Sequence, residues 1–225
     1  MSPSRAKVVE QIALNVREQR LRTIAFVSTR YDRDTSALIG DVAEVLARAN
    51  VRSLVAGVGD GQTAGGWSPL MTDPPEVNDS GRGFDFVRAD MQPAARAAFN
   101  DPESVRRGFL SAFSNYEIII LDLPGLIDEN PHYPNAVAVS TACDGVILVC
   151  PTGEIAEDEI RRALALVRDA GGRLCGTVMN DRSNPTIATD LRRLRSSRRS
   201  FIRLLPKRFL NWLERRQSLQ SQIYS

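Results

Sequence analysis

Ile118-Ile119-Ile120-Leu121 is an unbroken aliphatic run that closes on Asp122-Leu123-Pro124-Gly125. It carries no apolar–polar alternation, so a strand built from it has no face suited to water. Thr23–Ser28 and Gly145–Cys150 read as buried strands of the same kind, and Val51–Val58, Phe84–Ala89 and Leu174–Met179 supply further strands. Between them lie helical segments. Residues 5–20 space Val8, Val9, Ile12, Ala13 and Val16 on one face, and a helix capped by Asp34 or Thr35 runs to about Asn50 with Leu38, Val42, Val45 and Leu46 inward. Asp101-Pro102-Glu103 opens a helix to about Ser114, residues 131–142 form another, and Glu154–Ala170 is amphipathic, acidic at its start and closed by Gly171-Gly172. Residues 59–83, rich in Gly, Pro, Asp and Ser, read as a long loop. Buried strands alternating with helices predict a three-layer α/β fold, a mostly parallel sheet with helices on both faces.

Composition narrows the class. The chain is 43% hydrophobic and 25% charged, ordinary for a soluble protein. No apolar run reaches the roughly 20 residues that a bilayer span needs, and Met1 to Gln11 lacks the apolar stretch of a signal peptide; a cytoplasmic location is expected. Cys143, Cys150 and Cys175 form no C-x-x-C pair and sit among apolar residues, which points to small buried hydrophobes. His132, between Pro131 and Pro134, has no ligand-spaced partner and reads as a surface residue. A serine–histidine–aspartate arrangement finds no support around this single histidine.

The net charge of +2 is unevenly distributed. Beyond residue 190 stand Arg192, Arg193, Arg195, Arg198, Arg199, Arg203, Lys207, Arg208, Arg215 and Arg216 against Glu214. Phe201, Leu205, Phe209 and Trp212 fall on one helical face among them, interrupted by Pro206. Such a basic amphipathic tail, with Arg198, Arg199, Phe201, Arg203, Leu205, Arg208, Phe209 and Trp212 as its contact residues, suits an anionic membrane surface or a partner protein. The expected organisation is an N-terminal helix (1–20), an α/β domain (21–185) and this tail (186–225).

The turn between the first strand and its helix is where an α/β nucleotide-binding domain cradles phosphate. Here it reads Ser28-Thr29-Arg30-Tyr31-Asp32-Arg33-Asp34-Thr35-Ser36, without glycine or lysine and with two aspartates that repel phosphate. Lys7 and Lys207 are the only lysines, and both lie far away in sequence. The order of elements resembles the MinD/ParA-like P-loop superfamily. Within it, the chain is most similar to the cytoplasmic domain of the bacterial tyrosine kinases that accompany capsule and exopolysaccharide synthesis. Tyr116-Glu117-Ile118-Ile119-Ile120-Leu121-Asp122-Leu123-Pro124 resembles that family's Y-D-x-x-x-x-D-x-P-P, Cys143–Val149 its A-D-G-V-L-L-V strand, and Ala170–Asn180 its G-x-x-x-G-V-V-L-N strand. Against the family's T-S-x-x-P-G-x-G-K-S-T, Ser28 and Ser36 match serines, while Tyr31, Asp32, Asp34 and Thr35 replace the proline, two glycines and lysine. The acidic pair of the D-x-D motif falls on Gly57-Val58-Gly59.

The resemblance implies a P-loop-type sheet over roughly residues 20–182, with a magnesium-binding hydroxyl at Ser36 and a magnesium-binding carboxylate at Asp122. With the lysine, glycines and second acidic motif gone, both are expected to be vestigial, with no catalytic residue and no bound cofactor. In the alternative, ATP with magnesium binds through a rearranged loop in which Arg30 and Arg33 meet the phosphates, although arginine's fork is a poor substitute for a lysine point charge. The resemblance further implies a non-catalytic regulatory or scaffolding protein at the inner membrane, partnering a membrane-embedded polysaccharide chain-length or export protein, with a homodimer among its assembly states. Tyr224 is the one tyrosine where the family carries a C-terminal cluster. A third reading is a ParA/MinD-like positioning protein whose tail binds membrane or DNA, membrane or protein being favoured over nucleic acid.

Overall fold

A computed structural model describes residues 3–30, 33–58, 66–71, 75–127, 132–151 and 155–180. The chain divides into two units, Met1–Asn180 and Asp181–Ser225. The contact residues expected in the basic tail, Arg198 to Trp212, lie outside the described residues.

The first unit is a seven-stranded sheet. In chain order its elements are α1 (Pro3–Glu18), β1 (Thr23–Ser28), α2 (Arg33–Arg48), β2 (Ser53–Gly57), β3 (Asn78–Asp79), β4 (Asp85–Arg88), α3 (Pro93–Ala98), α4 (Pro102–Ala112), β5 (Ile118–Asp122), α5 (Ala136–Thr141), β6 (Gly145–Pro151), α6 (Glu157–Asp169) and β7 (Leu174–Asn180). The strands lie in the order β3-β4-β2-β5-β1-β6-β7, all parallel except the short edge strand β3. This is the α/β architecture that the buried runs require.

Period two decides which residues fill which layer. Ile24, Phe26, Ile118, Ile120, Ile147 and Val149 point to the face covered by α1 and α2. Ala25, Val27, Ile119, Leu121, Val146 and Leu148 point to the other, under α4, α5 and α6. The N-terminal helix is part of this packing, with Val9, Ile12, Ala13 and Val16 in the first cluster. Arg5 also reaches Asp41 of α2 at 2.8 Å, and Arg82 from the β3–β4 turn reaches Asp41 and Glu44. Burial raises the Asp41 carboxyl, but the two guanidinium groups outweigh it and hold the carboxyl below its ordinary value.

Several expectations need correction. Residues 59–83 are not simply a loop: Trp67 is wholly buried and bridges to Ala89, and Asn78–Asp79 pairs antiparallel with β4. The helix expected over 131–142 is shorter, because Asn135 after Pro134 caps it by accepting the amides of Val137 and Ala138. Helix α3, opened by Pro93, has too few residues for a periodic signal. Helix α2 starts at Arg33, ahead of both expected caps; the Thr35 hydroxyl is buried there without a hydrogen-bond partner. Cys143 and Cys150 are buried as expected, whereas Cys175 on the outer strand is partly exposed. Helix α6 ends as its glycines predict: Gly171, at φ +85°, and Gly172 donate to the carbonyls of Arg168 and Val167.

At the amino ends of the strands, spatial order produces a pattern that chain order hides. The residues preceding β2, β5, β1, β6 and β7 are Arg52, Glu117, Arg22, Asp144 and Arg173, alternating in sign across the sheet. The carboxylates bond to neighbouring backbone: Glu117 accepts the Arg52 amide at 3.0 Å, and Asp144 accepts the amides of Arg22 and Thr23 at 3.0 and 2.9 Å. Beside them Tyr116 donates its phenol to Asp85 at 2.6 Å under the Arg52 guanidinium. Burial, followed by Asp85, pushes its ionisation up to about 12. The folded value lies above the unfolded value of about 10, so this contribution is complete below that pH and disappears as the pH rises to about 12. Tyr116→Phe should therefore flatten the alkaline fall in denaturant midpoint across that window. An unchanged alkaline limb would show that Tyr116 is not its source.

No helix among the described residues is long and apolar enough to cross a membrane.

Candidate functional site

In an open parallel sheet, ligands gather at the carboxyl ends of strands where successive connections leave in opposite directions. Here that point is the end of β1, which sits between β5 and β6. From β1 the chain passes to α2 on one face; from β5 it passes to α5 on the other. The position therefore falls between Ser28-Thr29-Arg30 and Asp122, as the motifs suggested.

Asp122 ends β5, in register with Phe26 of β1 and Gly57 of β2. Ser36, in the first turns of α2, donates its hydroxyl to Asp122 at 2.5 Å. The two residues named from the family pattern as magnesium ligands are thus brought together and bond to each other. After Asp122 the chain stays beside β1: Leu123 donates to the Phe26 carbonyl, Leu126 to Ser28 at 2.9 Å and Ile127 to Thr29 at 3.0 Å. The β5 exit thereby lies along the residues leaving β1.

Thr29 and Thr35 are 0% and 1% exposed, and neither hydroxyl has a hydrogen-bond partner. Thr35, which the motif resemblance sets against the family's lysine, is neutral and closed to solvent. Arg30 is exposed, but its guanidinium pairs with Glu159 in the first turn of α6. The sequence offered Arg30 as a phosphate contact and gave no sign of this partner. The Glu157-Asp158-Glu159 cluster was legible only as a complement to the helix dipole. Tyr31, Asp32 and the Arg33 side chain lie outside the described residues.

Gly57 and Val58, which the resemblance sets against the second acidic motif, carry no carboxylate. Gly57 ends β2, and Val58 after it is 1% exposed, its amide donating to the Asp122 carbonyl at 2.9 Å. The charge of this pole comes from other acids: Asp34, Asp90, Asp101, Asp122 and the start of α6 all lie at carboxyl ends of strands or amino ends of helices. The Asp101 carboxyl is held below its usual range by the Ser104 hydroxyl and the amides of Glu103 and Ser104, and stays ionised at neutral pH. Among the described residues, no group of three or more histidine, cysteine, aspartate or glutamate side chains is placed to hold a metal, and His132 is exposed.

Comparison with known proteins bears on the fold. No family model matches the chain, and no curated protein does. Among solved structures, the chain is similar to the kinase domain of Escherichia coli tyrosine kinase ETK, at 14% identity over 80% of this chain and 78% of that one, with a TM-score of 0.60. The VpsO kinase domain gives 13% identity over 79% and 94%, with a TM-score of 0.62. The BceF tyrosine kinase domain gives 17% identity over 79% and 76%, with a TM-score of 0.60. The P-loop fold of bacterial tyrosine kinase domains, expected from the motif order, is therefore the fold of this chain. At such identities the likeness concerns architecture.

Proposed function

We propose that this chain, built on the fold of the bacterial tyrosine kinase domains, is a non-catalytic relative that serves as a regulatory or scaffolding partner of a membrane-embedded polysaccharide chain-length or export protein. The observation that carries this reading is the neutral, buried Thr35 where the family pattern puts its lysine; beside it Ser36 and Asp122, set against the two magnesium ligands, bond to each other. The residues present do not fit magnesium nucleotide. Thr35 brings no charge, Gly57 and Val58 bring no carboxylate, and the surrounding acids oppose a triphosphate. Arg30, which the alternative of a rearranged ATPase would employ, would have to leave Glu159 first. A domain freed from a nucleotide cycle can present one constant surface, which suits a scaffold. Exopolysaccharide synthesis and a place at the inner membrane follow from the motif resemblance.

The test is thermal. Saturating ATP with magnesium should leave the melting temperature within about 1 °C, because a ligand at a hundred times its Kd would stabilise by about 2.7 kcal/mol and shift a domain of this size by several degrees. A shift of that size, lost in Asp122→Ala, would overturn the reading, as would ATP turnover lost on replacing Arg30.

A further inference from the structure

The pole opposite the candidate site is rich in arginine. Helices of a parallel α/β domain run against their strands, so the amino ends of β1, β2 and β7 lie with the carboxyl ends of α1 and α6. Arg17 and Arg168 stand in the last turns of those helices and Arg20 just beyond α1. Arg22, Arg52 and Arg173 stand at the strand starts. None of these six joins an ion pair among the described residues. Their contacts are uncharged: Arg22 donates to the Ser114 carbonyl at 3.3 Å, Arg173 to Gln19 at 2.8 Å, and Arg52 lies over the Tyr116 ring.

The carboxylates of this end are mostly engaged. Glu117 and Asp144 hold backbone amides, Asp144 also meets Arg106 at 3.5 Å, and Asp85 holds the Tyr116 phenol. Glu18 and Asp169 are the exposed acids at the helix ends. All five acids keep their charge, so the six arginines together with Arg106 exceed them by two, and the exposed Arg17, Arg20, Arg52, Arg168 and Arg173 stand on longer side chains than the acids. Arg52, Arg22 and Arg173 sit on alternate strands, roughly 10 Å apart along a straight row.

We infer that this amino-end face docks on an anionic phospholipid surface. Two observations favour lipid over nucleic acid. Nucleic-acid phosphates are held at contact by Arg and Lys side chains together with backbone amides and helix amino ends, whereas the helices here present their carbonyl ends, which add no donor and repel a phosphate at contact. Long basic side chains instead act on a charged leaflet across a hydrated gap, within a Debye length of about 8 Å. Leu174, 40% exposed beside Arg173, adds an apolar side chain at the end of the row. The inference does not rest on the state of the nucleotide site.

The test uses the full chain and sedimentation with vesicles, either of phosphatidylcholine alone or with roughly one-third phosphatidylserine. The combined Arg22→Gln, Arg52→Gln, Arg173→Gln protein should partition onto the anionic vesicles roughly a hundredfold less than the parent, at about 1 kcal/mol for each charge. The basic tail is common to both proteins, so the ratio isolates this pole. The matching triple lysine variant should stay near the parent. Arg17→Gln, Arg20→Gln and Arg168→Gln together break no side-chain hydrogen bond or ion pair seen among the described residues and should also weaken binding. Parent-like binding by both glutamine sets overturns the inference, as does a parent that prefers anionic vesicles no more than neutral ones. Loss of duplex DNA binding with vesicle binding intact in the glutamine variants would overturn it in favour of nucleic acid.

Discussion

Trp67→Ala should be among the most destabilising single substitutions in this chain, at about 3–5 kcal/mol and a fall in melting temperature of roughly 10 °C or more. Trp67 is 0% exposed. Its ring stacks on Phe109 at 4.3 Å and meets Phe99 and Phe113 at 5.4 Å. Its backbone extends the sheet, donating to the Arg88 carbonyl at 2.8 Å and accepting from Asp90 at 2.7 Å. Two glycines permit this approach: a Cβ on Gly66 would lie 2.4 Å from the Arg88 carbonyl oxygen, and one on Gly108 would lie 3.2 Å from the indole. The indole nitrogen is buried without a partner. Trp67→Phe removes that unsatisfied donor along with some contact area, so it should cost much less than the alanine change. Equilibrium denaturation of the three proteins checks the order. An alanine variant as stable as the parent would mean that this segment is not an anchor.

Asp144→Ala should cost about 2–3 kcal/mol, while Asp144→Asn should stay within about 1 kcal/mol of the parent. One carboxylate oxygen takes the amides of Arg22 and Thr23, and the Asp144 amide returns a bond to Thr23. Asparagine keeps an acceptor oxygen for both amides; alanine leaves them at the sheet end with water as their only recourse. Denaturant midpoints at constant m-value separate the cases. Equal losses in the two variants would assign the effect to charge, through Arg106, rather than to the backbone bonds. In sequence, Asp144 belongs to a segment similar to a kinase motif; in the fold it joins the start of β6 to the start of β1.

How much was legible follows from the range of each interaction. The runs at Thr23–Ser28, Ile118–Leu121 and Gly145–Cys150 are apolar at every position, and a segment with no polar face has few places to go. They therefore marked the central strands closely. The Asp101-Pro102 and Gly171-Gly172 signals also worked, because helix capping is settled within a few residues. Trp67 was hidden inside a stretch whose Gly, Pro and Asp content reads as loop, since its partners lie on α3 and α4, some 30 residues or more away. Arg30 had the same difficulty. Its partner Glu159 is 129 residues distant, and no local pattern couples them.

The sequence by itself determined the layers and the place of the candidate site, because burial on both strand faces and the position of Asp122 at the end of an aliphatic run are local properties. It also showed which charges the loop after β1 lacks. Only the tertiary structure decided what the remaining groups do. Folding brings Ser36 to Asp122 and Arg30 to Glu159, and strand order turns residues scattered from Arg22 to Arg173 into a row of alternating sign. Such pairings depend on which strands become neighbours, and the cooperative packing of the whole sheet sets that.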